Sequence, residues 1–211
     1  MQLKMVARRA PTGSLTVLGD LAQATGAWSY DSWDEIVAHL PTAAPVRHDE
    51  LTLGYRAPGQ ILDLASKLLP VAAPTVRPTR SIRPGRREPR LIAVDHPQLL
   101  PESVREATSL ADEGFGVGLV VSAGHLAPVT ALVAKRSDVG LLERDGMTRR
   151  VTVVDAAAVK GLEFDAVVVV EPAAIAGPDA RGLRLLYVAL TRPIQHLSIV
   201  HAEPLPPLLS D

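Results

Sequence analysis

The sequence predicts an α/β fold of three layers, a mainly parallel sheet between two sets of helices. Three observations carry that prediction. Short aliphatic runs alternate with stretches of helical period along most of the chain. One run, Ala166–Val170, is apolar at every position, as a parallel strand covered on both faces must be. The length of 211 residues, with 47% of them hydrophobic, suits one such domain with a substantial core.

In chain order, Leu15–Leu18 reads as a buried strand that ends in Gly19-Asp20. Asp31 is the expected cap of a helix whose apolar face holds Trp33, Ile36, Val37 and Leu40. Leu51–Leu53 is a strand, and Pro58 opens a helix with Ile61, Leu64, Ala65 and Leu68 on one face. Between Pro70 and Arg90 the periodicity stops; prolines and arginines dominate, which predicts a loop or linker. That segment is read either as a solvated loop or as a contact to nucleic-acid phosphates or a protein partner. Leu91–Val94 is the next strand, followed by a helix with Leu100, Val104, Ala107 and Ala111. Val117–Val121 precedes a helix with Leu126, Val129, Leu132 and Val133. Val151–Val154 and Ala166–Val170 are further strands, Leu183, Leu186, Tyr187 and Leu190 mark the last helix, and Ile194–Val200 the last strand. Residues 204–211 are expected to fray.

Composition narrows the function classes. With no cysteine, disulfides, thiolate metal sites and cysteine nucleophiles are excluded. The six histidines have no ligand spacing, so no metal site is assigned. A net charge of −1 predicts no strong global field for nucleic acid; any binding comes from local patches. The basic start of the chain lacks the apolar stretch of a signal peptide, and no run approaches the roughly 18 apolar residues of a membrane span. A soluble cytoplasmic protein without a membrane partner is expected.

Four segments at strand or helix ends could carry chemistry: Gly19-Asp-Leu-Ala-Gln23, Gly54-Tyr-Arg56, Lys160-Gly-Leu-Glu-Phe-Asp165 and Leu186-Tyr-Val-Ala-Leu-Thr-Arg192. Singly, each has an ordinary explanation, such as a turn, a helix-dipole charge or a solvated ion pair. In this order they resemble motifs III, IV, V and VI of UvrD/Rep-type superfamily 1 helicases. The resemblance runs from about Leu15 to Val200. Gly-Asp-Leu-Ala-Gln with Leu-Thr-Arg-Pro193-Ile-Gln195 further resembles the HelD-type, RNA polymerase-associated branch.

The resemblance implies a RecA-like fold and a cleft between two such domains, where ATP is hydrolysed to drive movement along single-stranded DNA. It divides the chain into residues 1–40, the end of a first RecA-like domain with motif III, residues 41–203, the second RecA-like domain with its Pro/Arg loop at 70–90, and the tail. By similarity Arg192 is the arginine finger, Arg56 a second γ-phosphate ligand, and Gln23 the γ-phosphate sensor. Lys160, Gly161 and Glu163 hold the nucleotide, Glu163 through the ribose hydroxyls, and Tyr55 orients Arg56. Pro193 ends the helix at Arg192, which is expected to reach outward. Trp28 either stacks a base or fills a core or lid contact. Asp155 and Ala157 stand where the family has a Thr and a His near nucleic acid; Asp155 is kept with Trp28 as a nucleic-acid candidate, although the departure weakens that grip. Gly54 replaces the usual Asn of motif IV, and the interval from Arg56 to Lys160 is too short for UvrD's large accessory domain. No Gly-x-x-x-x-Gly-Lys-Ser/Thr loop and no Asp-Glu-x-x-Gln occur. The phosphate cradle and the Mg²⁺ ligands are therefore expected from an N-terminal RecA-like partner domain, and the chain alone is expected not to turn over ATP. RNA polymerase is the alternative partner, with this domain as a docking and closure module.

Overall fold

Why the aliphatic runs become one sheet is visible in their pairing. In a computed structural model that describes residues 2–26, 29–42, 44–85 and 87–210, six strands form the central sheet. They are β3 (Arg90–Ala93), β4 (Val117–Val121), β5 (Val139–Leu141), β6 (Val151–Asp155), β7 (Phe164–Val170) and β8 (Pro193–His201). Their spatial order is β3-β8-β7-β4-β6-β5, and every pairing is parallel. The strand period of two sends alternate residues to opposite faces. Val120, Val167, Val169, Leu197 and Ile199 join one core. Leu119, Val121, Ala166, Val168 and Val170 join the other. Both faces are covered, which is why β7 carries no polar alternation.

Helices α3 (Gly59–Ser66), α4 (Leu69–Ala72) and α9 (Ala180–Leu190) supply the first core, with Ile61, Leu69, Leu186 and Leu190. Helices α5 (Leu99–Asp112) and α6 (Ala123–Val133) supply the second, with Val104, Leu110, Val129 and Val133. Buried Glu106 on α5 binds edge strand β3 through Arg90 (2.9 Å) and accepts from Ser198 of β8 (2.7 Å). Between α8 (Pro172–Ala176) and α9 the chain turns at Gly177, φ +54°, and Asp179 caps α9 by accepting from Gly182 N at 2.8 Å.

Several expectations fail for local reasons. Leu15–Leu18 forms no strand, and Leu18 is 86% exposed; an apolar run becomes a strand only where a neighbour completes its ladder. Helix α2 (Trp33–Val37) is capped by Ser32, whose hydroxyl accepts from Glu35 N, while Asp31 is drawn to Arg184. Its apolar face is only half-buried, and Leu132 of α6 is exposed. The strand expected at Leu51–Leu53 reduces to β1 (Leu53–Gly54), which pairs with β2 (Arg80–Ser81) from within the Pro/Arg segment. That segment is therefore pinned: Ser81 Oγ donates to Ala57 O (2.7 Å), and Gly85 N donates to Gln60 Oε1 (2.8 Å). The tail does not fray throughout, because α10 (Pro207–Ser210) sets Leu209, 3% exposed, into the first core. Ahead of α2, Leu21 and Ala22 are buried, Ala22 within the first core. Strand β5, α8 and the short α7 (Leu142–Asp145) had no expectation attached.

Candidate functional site

The register of two neighbouring strands builds the site. Phe164 of β7 is paired with Pro193 of β8, so Glu163 and Arg192, one residue ahead of each, are neighbours despite the separation in sequence. Phe164 N donates to Arg192 O at 3.3 Å. Arg56, just after β1, reaches the same place and pairs with Glu163 Oε1 at 3.0 Å. A 3₁₀ turn, Leu21–Gln23, closes the cluster; Asp20 caps it through Ala22 N (2.9 Å) and also accepts from Gln23 Nε2 (2.7 Å). Arg192 Nη2 contacts Gln23 Oε1 at 3.4 Å, and Lys160 Nζ donates to Gln23 O at 2.7 Å. Gly161, at φ +86°, makes the turn into β7 in a left-handed conformation that a side chain would strain.

Arg192 departs from the sequence expectation. It is 5% exposed and does not reach outward: its Nε donates to Val188 O at 3.1 Å. The reason is the helix end. With Thr191 as C-cap and Pro193 starting β8, the guanidinium folds back over the last turn and adds to the bonds already on the Val188 carbonyl. Burial first, and then the charge of Arg56, disfavour its charged form; Glu163, Asp20 and Tyr187 oppose this. A guanidinium stays charged regardless, so the cluster is an electropositive place short of anions. Its two contacts at 3.4 Å, to Gln23 Oε1 and Thr191 Oγ1, are at the long limit of a hydrogen bond and exchange readily for stronger acceptors.

Tyr55 is 72% exposed; the Arg56 guanidinium is held by Glu163, and its backbone carbonyl accepts from Arg83 at 3.0 Å. Asp155 lies apart, at the carboxyl end of β6, where its carboxylate accepts from Ala157 N at 2.7 Å and shapes the turn. Trp28 lies outside the described residues. Asp20 and Tyr187 were missed. Asp20 read as a turn residue, and Tyr187 was hidden in an apolar helical face. Among the described residues, no cluster of three or more His, Asp or Glu side chains is placed to hold a metal, and no helix is long and apolar enough to cross a membrane.

Burial pushes the Tyr187 hydroxyl up to about 12, with Asp20 adding to the rise and Arg192 opposing it. Because the folded value is raised, the stabilisation is complete below pH ~10 and is lost as pH rises through about 12, roughly 2–3 kcal/mol in all. Alkaline unfolding should therefore be less steep in Tyr187→Phe than in the wild type, measured as stability against denaturant between pH 9 and 12. Parallel curves would refute this assignment.

Open parallel sheets usually take ligands at the carboxyl ends of their strands. Here the cations gather at the amino ends of β7 and β8, on the opposite edge. Residues 150–200, about a quarter of the chain, match the family model of the UvrD-like helicase C-terminal domain. They contain β6, the Lys160–Asp165 segment, β7, α9 and Arg192. The C-terminal domain of a possible DNA helicase from Lactobacillus plantarum WCFS1 is similar in structure, with a TM-score of 0.58 and 24% identity over 74% of this chain and 92% of that one. That likeness is one of fold: an α/β domain with a mainly parallel sheet. No curated protein matches the sequence.

Proposed function

We infer that this chain is the arginine-bearing lobe of an ATP-dependent superfamily 1 motor that acts on single-stranded DNA and shares its nucleotide site with a second RecA-like lobe. The observation that carries the reading is the convergence of Arg56, Lys160 and Arg192 with Gln23 and Glu163 on one sheet edge. Three cations face two carboxylates, Asp20 and Glu163, at that edge, which suits a polyphosphate. Leu15, Val17 and Leu18 leave apolar side chains exposed beside Asp20 and Gln23, a surface that a second lobe would cover.

ATP would bring the transferable phosphoryl group, and Mg²⁺, held by acidic ligands of the second lobe, would offset charge on its phosphates. Arg192 and Arg56 place positive charge where the transferring group gathers negative charge, preorganised by burial and by the Glu163 pair. Glu163 accepts from ribose hydroxyls, and Gly161 lets the backbone approach the nucleotide closely. Gln23, in contact with Arg192, reports the state of that edge to the rest of the protein.

The test compares ATP hydrolysis by this chain alone with hydrolysis by a polypeptide that also carries a phosphate loop and acidic metal ligands. The chain alone should show no turnover above background, and the joined form should hydrolyse ATP and be stimulated by single-stranded DNA. Turnover by the isolated chain would refute the shared-site reading.

A further inference from the structure

Arg184 sits in α9 two turns before Arg192 and takes no part in the cation cluster, yet its side chain is only 8% exposed. A buried guanidinium is costly unless most of its donors are met. Arg184 meets them across three pieces of chain. Its Nε donates to Ala72 O of α4 at 2.6 Å, Nη1 contacts Ala24 O (3.4 Å) and Ser29 Oγ (3.3 Å), and Nη2 pairs with Asp31 at 2.5 Å. Two neighbours repeat the pattern: Lys160 Nζ binds Gln23 O at 2.7 Å, and Arg181 Nε binds Thr25 O at 2.8 Å. Three consecutive carbonyls, of Gln23, Ala24 and Thr25, are thus each held by a different cation.

This is unusual chemistry for a connecting segment. Carbonyls outside helices and sheets are ordinarily left to water. The geometry points to a clamp: Arg181 and above all Arg184 fix residues 23–25 and 29–31 onto α9, and Lys160, ahead of β7, holds the Gln23 carbonyl, so that Gln23 keeps its register with Arg192. Arg184 is then a positioning residue, acting through Gln23 and touching no nucleotide. The inference rests on the shared-site reading for its catalytic consequence, but the clamp itself can be read without ATP. The preference for the closed arrangement is strong because release of the segment leaves Arg184 with Ala72 O alone. Lysine cannot replace it, since one ammonium lacks the planar fork that spans Ala72, Ala24 and Asp31 together.

Hydrogen exchange on this chain tests the clamp. The amides of Ala22, Gln23, Ala24 and Thr25 are hydrogen-bonded within the turn and protected while it is held. In Arg184→Lys they should exchange about tenfold faster, with the amides of β7 and β8 unchanged. In Asp31→Asn, which alters an exposed carboxylate and leaves the core intact, the same four should accelerate about threefold. Unchanged rates at those amides overturn the clamp, and so does equal acceleration in β7 and β8, which would make Arg184 an ordinary stabilising group. In the polypeptide joined to its phosphate-loop lobe, Arg184→Lys should lower kcat about tenfold with KM for ATP within about twofold. Faster exchange with an unaltered kcat overturns the positioning role. Absence of hydrolysis in the wild-type joined protein sinks the shared-site reading instead, and the exchange result still decides the clamp.

Discussion

Arg192→Ala should lower ATP turnover by about a thousandfold or more in the two-lobe protein, while the KM for ATP changes far less. The size follows from where the side chain sits. Arg192 is almost wholly buried, so its charge acts through little water, and Arg56 is close enough to disfavour its charged form further. A γ-phosphoryl group gathering charge in transfer relieves both penalties at once, and the ground state relieves them less. The loss therefore falls on kcat. Arg192→Lys should recover little, because an ammonium lacks the planar fork in which Nε holds Val188 O while the Nη donors, set apart from it, face the phosphate. The fold should survive, because alanine removes one hydrogen bond to a helix-end carbonyl, worth about 1 kcal/mol, and two long contacts at 3.4 Å. Steady-state hydrolysis with a thermal melt on each variant checks this. Turnover within tenfold of wild type, in a variant that melts normally, would remove Arg192 from the finger role.

How much of this was legible in the sequence depended on whether a residue's fate is local. The strands β4, β6, β7 and β8 were readable because runs such as Val117–Val121 and Ala166–Val170 are apolar at each position and have only one way to be buried. Leu15–Leu18 has the same signature and forms no strand, because pairing depends on a partner that the run itself does not specify. β5 escaped notice for the opposite reason: three residues with a central glycine carry too little pattern, and its place is fixed by β6 alongside. At the site, the segments that hold Glu163 and Arg192 were identifiable, but not their meeting, which comes from the Phe164–Pro193 register. The burial of Arg192 and the grip of Arg184 were not legible at all. Both arginines lie at polar positions of α9 or its end, and contacts from residues distant in sequence, Gln23, Ala24 and Asp31 among them, help take them out of water. Asp31 shows the same competition, since a good helix cap became the partner of a buried cation, and Ser32 took the cap.

Gly182→Ala should be severely destabilising, by about 3 kcal/mol or more, even though alanine is the better helix former by roughly 1 kcal/mol. A Cβ at Gly182 would stand 1.8 Å from the Ala176 carbonyl oxygen and 2.5 Å from its carbon, with Ile175 O at 3.0 Å. The obstacle is backbone, so no rotamer change relieves it; α8 and α9 would have to separate by more than an ångström. Both helix ends are fixed where they meet, α8 by Gly177 at φ +54° and α9 by the Asp179 cap on the Gly182 amide. Gly124 in α6 is the matched control: a Cβ there would meet only Ser122 Oγ, at 3.9 Å, and Gly124→Ala should be neutral or stabilise by up to about 1 kcal/mol. For a chain of this size the Gly182 variant should melt roughly 6–12 °C lower and the Gly124 variant no lower than wild type. Equal melting of the two would mean that α8 and α9 do not touch as described. The separation matters beyond stability, because α9 carries Arg184 and Tyr187 and delivers Arg192 at its end. With α9 lifted from α8, the clamp on Gln23 and the guanidinium beside Glu163 lose their common reference, so the one glycine that lets two helices meet also sets the spacing of the cation edge.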